Sequence, residues 1–353
     1  MLLLLAAAQA ATVTDLPPFL RGDLGVSYTF DRLQGSLVER GALPSDDQTV
    51  AQRQDNAHVL HYTLAFGVAP GAAVFVDAPH VVYRGIELQE WSKMVYDPAT
   101  ETGTYYGTAP EEDSTLTKGG GLEGVWIGAR GTPFSEAFPK RHNRFTMMLE
   151  GAVRTPGTGS WFVVNDPSTT GGLGMHGAGS GGVGLRIGIV TSARHGRHEP
   201  YLKLAYEDNL PVEVDILADD GTVLAAGAEI DPANHVQAAV GAEFIASENT
   251  TSGARTAFDL HLAAQWSSHQ DVPTGLDLPA VLLPEAGLVQ QAESFEVGGG
   301  VGLDVRFMKY LSWQLGADVR YHLPQRLEHP YPVYTGGDSI HVVAKTGLGI
   351  HLR

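Results

Sequence analysis

Residues 294–322 read SFEVGGGVGLDVRFMKYLSWQLGADVRYH. Phe295, Val297, Val301, Leu303, Val305 and Phe307 fall on one parity; Glu296, Gly298, Gly300, Gly302, Asp304 and Arg306 fall on the other. After a reversal at Met308-Lys309-Tyr310, Leu311, Trp313, Leu315, Ala317, Val319 and Tyr321 alternate with Ser312, Gln314, Gly316, Asp318, Arg320 and His322. Side chains along a strand alternate faces, so the stretch is a hairpin with one apolar and one polar wall. Each strand is about 11–13 residues long, beyond the ~5–6 usual in soluble sheets and matching the ~9–11 that cross a bilayer at a tilt. Charges on the polar wall are foreign to the inner face of a soluble sandwich and ordinary inside a membrane barrel.

The same alternation recurs along the chain. It marks strands at Leu24, Val26, Tyr28 and Phe30; at Leu60, Tyr62, Leu64 and Phe66; at Val74 and Val76; and over 122–130. Further strands follow at Phe145, Met147, Leu149 and Val153; at Val183, Leu185, Ile187 and Ile189; and at Leu202, Leu204 and Tyr206. Val236, Val240 and Phe244 mark an eighth strand, Phe258, Leu260, Leu262 and Trp266 a ninth, and Ile340, Val342, Leu348, Ile350 and Leu352 the last after the opening hairpin. Pro79 cannot donate to a ladder, which predicts a bulge or an early end to the third strand. Links after the even-numbered strands are mostly short, and those after the odd-numbered strands are long, roughly 16–36 residues, with loops read at 35–56, 84–119, 155–180, 208–233, 268–293 and 323–338. The expectation is an all-β chain forming one transmembrane antiparallel β-barrel of about 12 strands over 24–353, with short periplasmic turns and long extracellular loops.

Composition narrows the function classes. The formal charge of −17 leaves no basic surface for nucleic acid. Cysteine is absent, so there is neither a disulfide framework nor thiol chemistry. No run of 18 apolar residues marks a spanning helix. Residues 1–10, MLLLLAAAQA, read as the remnant of a secretory signal with Ala8-x-Ala10 as cleavage site; the alternative is an apolar first strand or helix start. Residues 11–23, with Pro17-Pro18, form a periplasmic lead-in. Together these place the chain in the outer membrane of a Gram-negative cell.

Three stretches resemble a known family. Residues 60–83, LHYTLAFGVAPGAAVFVDAPHVVY, are similar to the second hairpin of outer-membrane proteins of the phenol meta-degradation pathway type, relatives of the long-chain fatty-acid transporter barrels. Residues 121–130, GLEGVWIGAR, resemble that family's Gly-Leu-Gly-Asp-x-x-x-Gly-x-Lys strand, with Glu123 and Gly124 in place of Gly-Asp and Arg130 in place of Lys. Residues 149–188 resemble its Pro-Thr-Gly loop and Gly-Ser-Gly strand start, here with Thr155-Pro156-Gly157-Thr158-Gly159. The chain ends Leu352-Arg353 where most such barrels end in an aromatic residue. The resemblance implies a transporter of small, often hydrophobic molecules and carries over no catalytic residue.

Two motifs are weaker than they look. Gly177-Ala178-Gly179-Ser180-Gly181-Gly182 fits G-x-G-x-x-G, but a strand follows it where a dinucleotide site needs a helix. His195-Gly196-Arg197-His198-Glu199 gathers two imidazoles and a carboxylate without H-E-x-x-H spacing and reads as a turn. No G-x-S-x-G elbow occurs. The expectation is no enzyme, no catalytic or metal residue and no cofactor.

The informative set is the inward polar row: Asp31, His61, Asp77, Glu150, Arg154, Arg186, Lys203, Glu243, Asp259, His261, Glu296, Asp304, Arg306, Asp318, Arg320, His341 and Lys345. A charge on the lipid face costs about 2–4 kcal/mol near mid-bilayer, which turns these residues inward. They build either a cross-lumen salt-bridge network or a polar conduit, and pairing among Asp304, Arg306, Asp318 and Arg320 is within reach. The leading function is passive transport or uptake of a small solute. The alternatives are a structural or surface-binding barrel acting through long acidic loops, and, third, a lipid-modifying enzyme. Expected partners are outer-membrane lipid and lipopolysaccharide, the barrel-insertion machinery during biogenesis and the solute.

Overall fold

A computed structural model describes residues 16–39, 48–89, 93–97, 102–106, 114–134, 145–157, 163–164, 182–218, 223–249, 251–273, 288–291, 293–323, 325–328 and 334–352. The signal assignment at 1–10, and the Gly-rich motif up to residue 181, lie outside the described residues. Twelve strands form the wall: β1 (Gly22–Glu39), β2 (Gln48–Ala69), β3 (Ala72–Gln89), β4 (Trp126–Phe134), β5 (Phe145–Arg154), β6 (Gly184–Ala193), β7 (His198–Asn209), β8 (His235–Asn249), β9 (Ala254–Ser267), β10 (Ser294–Met308), β11 (Leu311–His322) and β12 (Tyr334–Leu352). Each pairs antiparallel with the next. β1 also pairs with β12, from Gly22 opposite Leu352 to Glu39 opposite Tyr334, and this closes the barrel.

The surface is inverted relative to a soluble protein. Leu262 is 66% exposed, Ile187 62% and Leu348 58%, while Asp318 is 1% and Arg320 2% exposed. Along β9 the outward Phe258, Leu260 and Leu262 alternate with the buried Asp259, His261 and Ala263. An apolar belt on every side and a polar interior match a barrel whose outer solvent is hydrocarbon; closure leaves no strand edge unpaired there. The chain is a transmembrane-type antiparallel barrel.

The links sort by end. Two residues join β2 to β3 and β10 to β11, and four join β6 to β7 and β8 to β9. Both described termini, Leu16 and Leu352, lie at this short-link end, where Gly22 meets Phe66 and Leu352. At the other end, the strands run further than the alternation foretells. β1 and β2 continue to Glu39 and from Gln48, leaving eight residues between them where a long loop over 35–56 is expected, and 11 residues join β11 to β12. The loops read at 84–119 and 208–233 contain hairpins, Lys93–Asp97 with Thr102–Tyr106 and Val212–Ala218 with Val223–Ile230. Ladder hydrogen bonds need no apolar side chain, so pairing carries on beyond the belt after the periodicity has faded.

The stretch 122–130 is two pieces rather than one strand. Residues Ser114–Leu122 pair with the far half of β3, His80 to Leu88, and β4 then takes the near half, Ala72 to Asp77. The crossover runs through Gly124 at φ 125°, a conformation that suits glycine. Pro79 sits where β3 changes neighbours, so its missing N–H deprives no ladder; its carbonyl accepts from the Glu123 amide at 3.0 Å. β3 does not end there. A register shift at His58/Val59 supplies the bulge.

Register also explains the glycines of β10. His261, Gly300 and Asp318 share one row across β9, β10 and β11, and Gly298 stands opposite Arg320. A methyl group on Gly300 would collide with the Asp318 carboxylate and the Ala317 carbonyl. The glycine wall is therefore a floor over which side chains of β9 and β11 meet directly. Gly300→Ala should lower stability by about 1–3 kcal/mol in denaturant unfolding from detergent micelles, as overpacking does elsewhere. Leu262→Arg should lower it by about 2–4 kcal/mol in the same assay carried out in lipid bilayers.

Candidate functional site

Two charge clusters and a cavity occupy the interior. The first cluster spreads over β7–β12 and β1. Tyr201 donates its hydroxyl to Asp259 Oδ1 at 2.9 Å. His261 Nδ1 lies 2.7 Å from Asp259 Oδ2, and its Nε2 lies 2.6 Å from Asp318 Oδ1 across the Gly300 gap. His341 repeats the arrangement, with Nε2 at 2.7 Å from Asp31 and Nδ1 at 3.3 Å from Glu296. A ring nitrogen must carry a proton to donate, so a bridge to two ionised carboxylates takes both ring N–H groups. Glu296 also faces Arg320 Nη1 at 3.6 Å and His322 Nε2 at 3.8 Å. Glu243 receives Arg255 Nη2 at 2.7 Å, and Glu199 lies 3.5 Å from the same guanidinium.

Three of the four charges of the opening hairpin, Arg320, Asp318 and Asp304, pair otherwise than with one another. Arg320 pairs with Glu296, Asp318 with His261, and Asp304 accepts from Gln314 Nε2 at 3.1 Å. The reason is the register: glycines, not acids, stand opposite Arg320 and Asp318. Both side chains reach past that floor to neighbours further along the wall.

The second cluster lies on β2–β7. Glu150 accepts from Arg130 Nε at 2.6 Å and faces Arg186 Nε at 2.8 Å. Arg154 bonds Asn209 Oδ1 at 2.8 Å and lies 3.5 Å from Glu207. The Trp126 ring carries the Arg186 guanidinium at 4.5 Å and that of Arg154 at 5.3 Å, and Arg130 stacks over Phe75 at 4.1 Å. His61 lies 3.5 Å from Asp77. Arg84 and Glu123 approach to 3.8 Å.

Between the clusters is a cavity of about 320 Å³, lined from every barrel strand except β9. Its apolar patch comes from Phe75, Met148 and Val190; its polar groups include Lys203, Lys345, Arg306 and the Glu150 cluster. Leu16 and Pro17 reach it from the short-link end, where the amide of Leu20 donates to the Gly67 carbonyl at 2.8 Å. The residues of the first cluster that bridge over Gly300 do not line it. The His261 bridge over Gly300 is thus packed away from the cavity.

Tyr201, Trp126, Arg130 and Arg255 are interior residues outside the expected polar row. Tyr201 shares parity with Lys203, and Trp126 with Arg130, so parity could have found them; their aromatic rings pointed to the apolar wall instead. Arg255 lies beyond the recognisable alternation of β9. The His195–Glu199 stretch turns through Gly196, at φ 65°, and enters β7 at His198, which is edge-on to Phe244. Among the described residues, no group of three or more His, Asp or Glu side chains is arranged to hold a metal ion.

No family model and no curated protein matches the chain. Solved structures similar to it are outer-membrane barrels. An outer membrane channel from Pseudomonas putida F1 is 9% identical with a TM-score of 0.48, over 95% of this chain and 97% of that one. A FadL homologue from Pseudomonas aeruginosa is 10% identical with a TM-score of 0.40, over 94% and 90%. The Pseudomonas putida toluene transporter TodX is 7% identical with a TM-score of 0.38, over 98% and 94%.

Proposed function

We propose that this barrel is an outer-membrane conduit for passive passage or uptake of a small solute. The observation that carries the reading is the interior cavity, built from eleven of the twelve strands, with polar and apolar lining side by side. A barrel made only for rigidity gains nothing from leaving such a space, because close packing is the cheaper way to fill an interior. In this reading the short-link end with both described termini faces the periplasm, and residues 1–10 direct export. Lipopolysaccharide and lipid cover the apolar belt, and the insertion machinery assembles the barrel. A lumen of this width suits molecules of modest size, including partly hydrophobic ones, since Phe75 and Met148 offer them contact.

A second reading, a sealed structural barrel, is favoured by the packed half, where His261 and His341 tie Asp259, Asp318, Asp31 and Glu296 together across the wall. Planar-bilayer recording separates the two. A conduit gives discrete current steps for the purified protein; a sealed barrel gives none, and that outcome ends the transport reading.

The division of the interior yields a further expectation. Arg320→Ala breaks a buried pair away from the cavity, so it should destabilise the barrel by about 3–5 kcal/mol in detergent unfolding. Step conductance should remain close to that of the unmodified protein. A raised conductance would mean that the packed half, not the cavity, obstructs the path.

A further inference from the structure

Most interior charges have a partner within 4.0 Å, whereas two cations in the cavity feel carboxylates only at longer range, Lys203 the Glu150 carboxylate and Lys345 those of Asp77 and Asp318. Lys203 on β7 and Lys345 on β12 both line it, and among the described residues neither makes a hydrogen bond or an ion pair within 4.0 Å. The strands stand five apart one way around the barrel and seven the other, so the two ammonium groups approach the space from nearly opposite walls. The carboxylates that act on them at this range make their close contacts with other groups. Glu150 is held between Arg130 and Arg186, and Asp77 faces His61. The geometry points to a binding site for a small organic monoanion, its carboxylate between Lys203 and Lys345 and its apolar body against Phe75, Met148 and Val190. This inference rests on the conduit reading and names the class of solute.

Three considerations support it. An ammonium is donor-only, so two of them directed into one cavity leave several N–H groups without an acceptor until an anion or water supplies one. Both lysines are half-buried and open to the cavity, whereas most other interior charges sit within 4.0 Å of an opposite charge. The whole chain carries −17, so its general field repels anions; the cationic pair is a local exception to that field. A volume of about 320 Å³ falls at the lower end of small-molecule sites, ~300–1,000 Å³, which fits a ring or short chain bearing one carboxylate.

The test uses benzoate and its neutral isostere benzamide on the full-length barrel in detergent, by calorimetric titration and thermal shift. Benzoate is expected to bind at least tenfold more tightly than benzamide and to raise the melting temperature. The double variant Lys203→Met, Lys345→Met keeps side-chain length, and heat-modifiable gel mobility checks its folding; it should weaken benzoate at least tenfold and leave benzamide unchanged. Equal binding of benzoate and benzamide to the unmodified barrel overturns the site, and needs no variant to fold. Equal benzoate binding by the folded double variant overturns it as well. Current steps without benzoate binding would remove this site and leave the conduit standing. Benzoate binding in a barrel that passes no current would keep the site and remove the conduit.

Discussion

Backbone hydrogen bonding in an apolar surrounding is the constraint from which the rest follows. A sheet placed in hydrocarbon has no water to satisfy its edges, so β1 must find β12, and the ladder from Gly22–Leu352 to Glu39–Tyr334 does so. Once the sheet is closed, the two-residue period of each strand divides the side chains into one set for the outer solvent and one for the interior. Leu260, Leu262, Val301 and Leu348 go out; Asp259, His261, Arg320 and His341 go in. The polar interior is thus a consequence of closure and alternation, and it creates the problem that the side-chain chemistry then solves.

That problem is the burial of many charges in a limited space. The solution on the β9–β12 side is direct pairing over a glycine floor. Gly298 and Gly300 carry no side chain where β9 and β11 must reach each other, which lets His261 contact Asp318 two strands away. Each bridging imidazole uses both ring nitrogens, so one residue joins two strands and offsets two carboxylates. On the β2–β7 side Arg130 and Arg186 share the one Glu150 carboxylate, and aromatic faces take part of the load, Trp126 beneath Arg186 and Phe75 beneath Arg130. The two solutions differ in volume. Direct pairing consumes its space, while the arrangement around Glu150 leaves the cavity open beside it.

This asymmetry is what gives the interior a functional character. A barrel of twelve strands lies between those that fill themselves and those that leave a wide channel, so width alone does not assign its use. The cavity is bordered by apolar surface, by the paired charges around Glu150 and by Lys203 and Lys345, while the His261 bridge lies outside it. The N-terminal segment adds to the shape, since Pro17 is buried and borders the same space from the short-link end.

The sequence by itself determined the class, the number of wall strands and, along the clearly alternating strands, which face is apolar, because alternation over a long strand is a local property with a two-residue period. The opening hairpin was legible in this way, except that Met308 belongs to β10 rather than to the reversal. The ends of strands were not, since beyond the belt both faces are polar and pairing in β1, β2 and the hairpins of the long links leaves no periodic trace. Nor was the break at Gly124 within 122–130, where a change of neighbour rather than of composition separates two strands. Partner choice was decided only by the tertiary structure. Glu296 and His341, or Asp31 and His341, are far apart along the chain and meet only because strand register and barrel closure bring them together. Which charges are left over, Lys203 and Lys345 among them, is a property of the completed set of pairs, and no local stretch of sequence contains it.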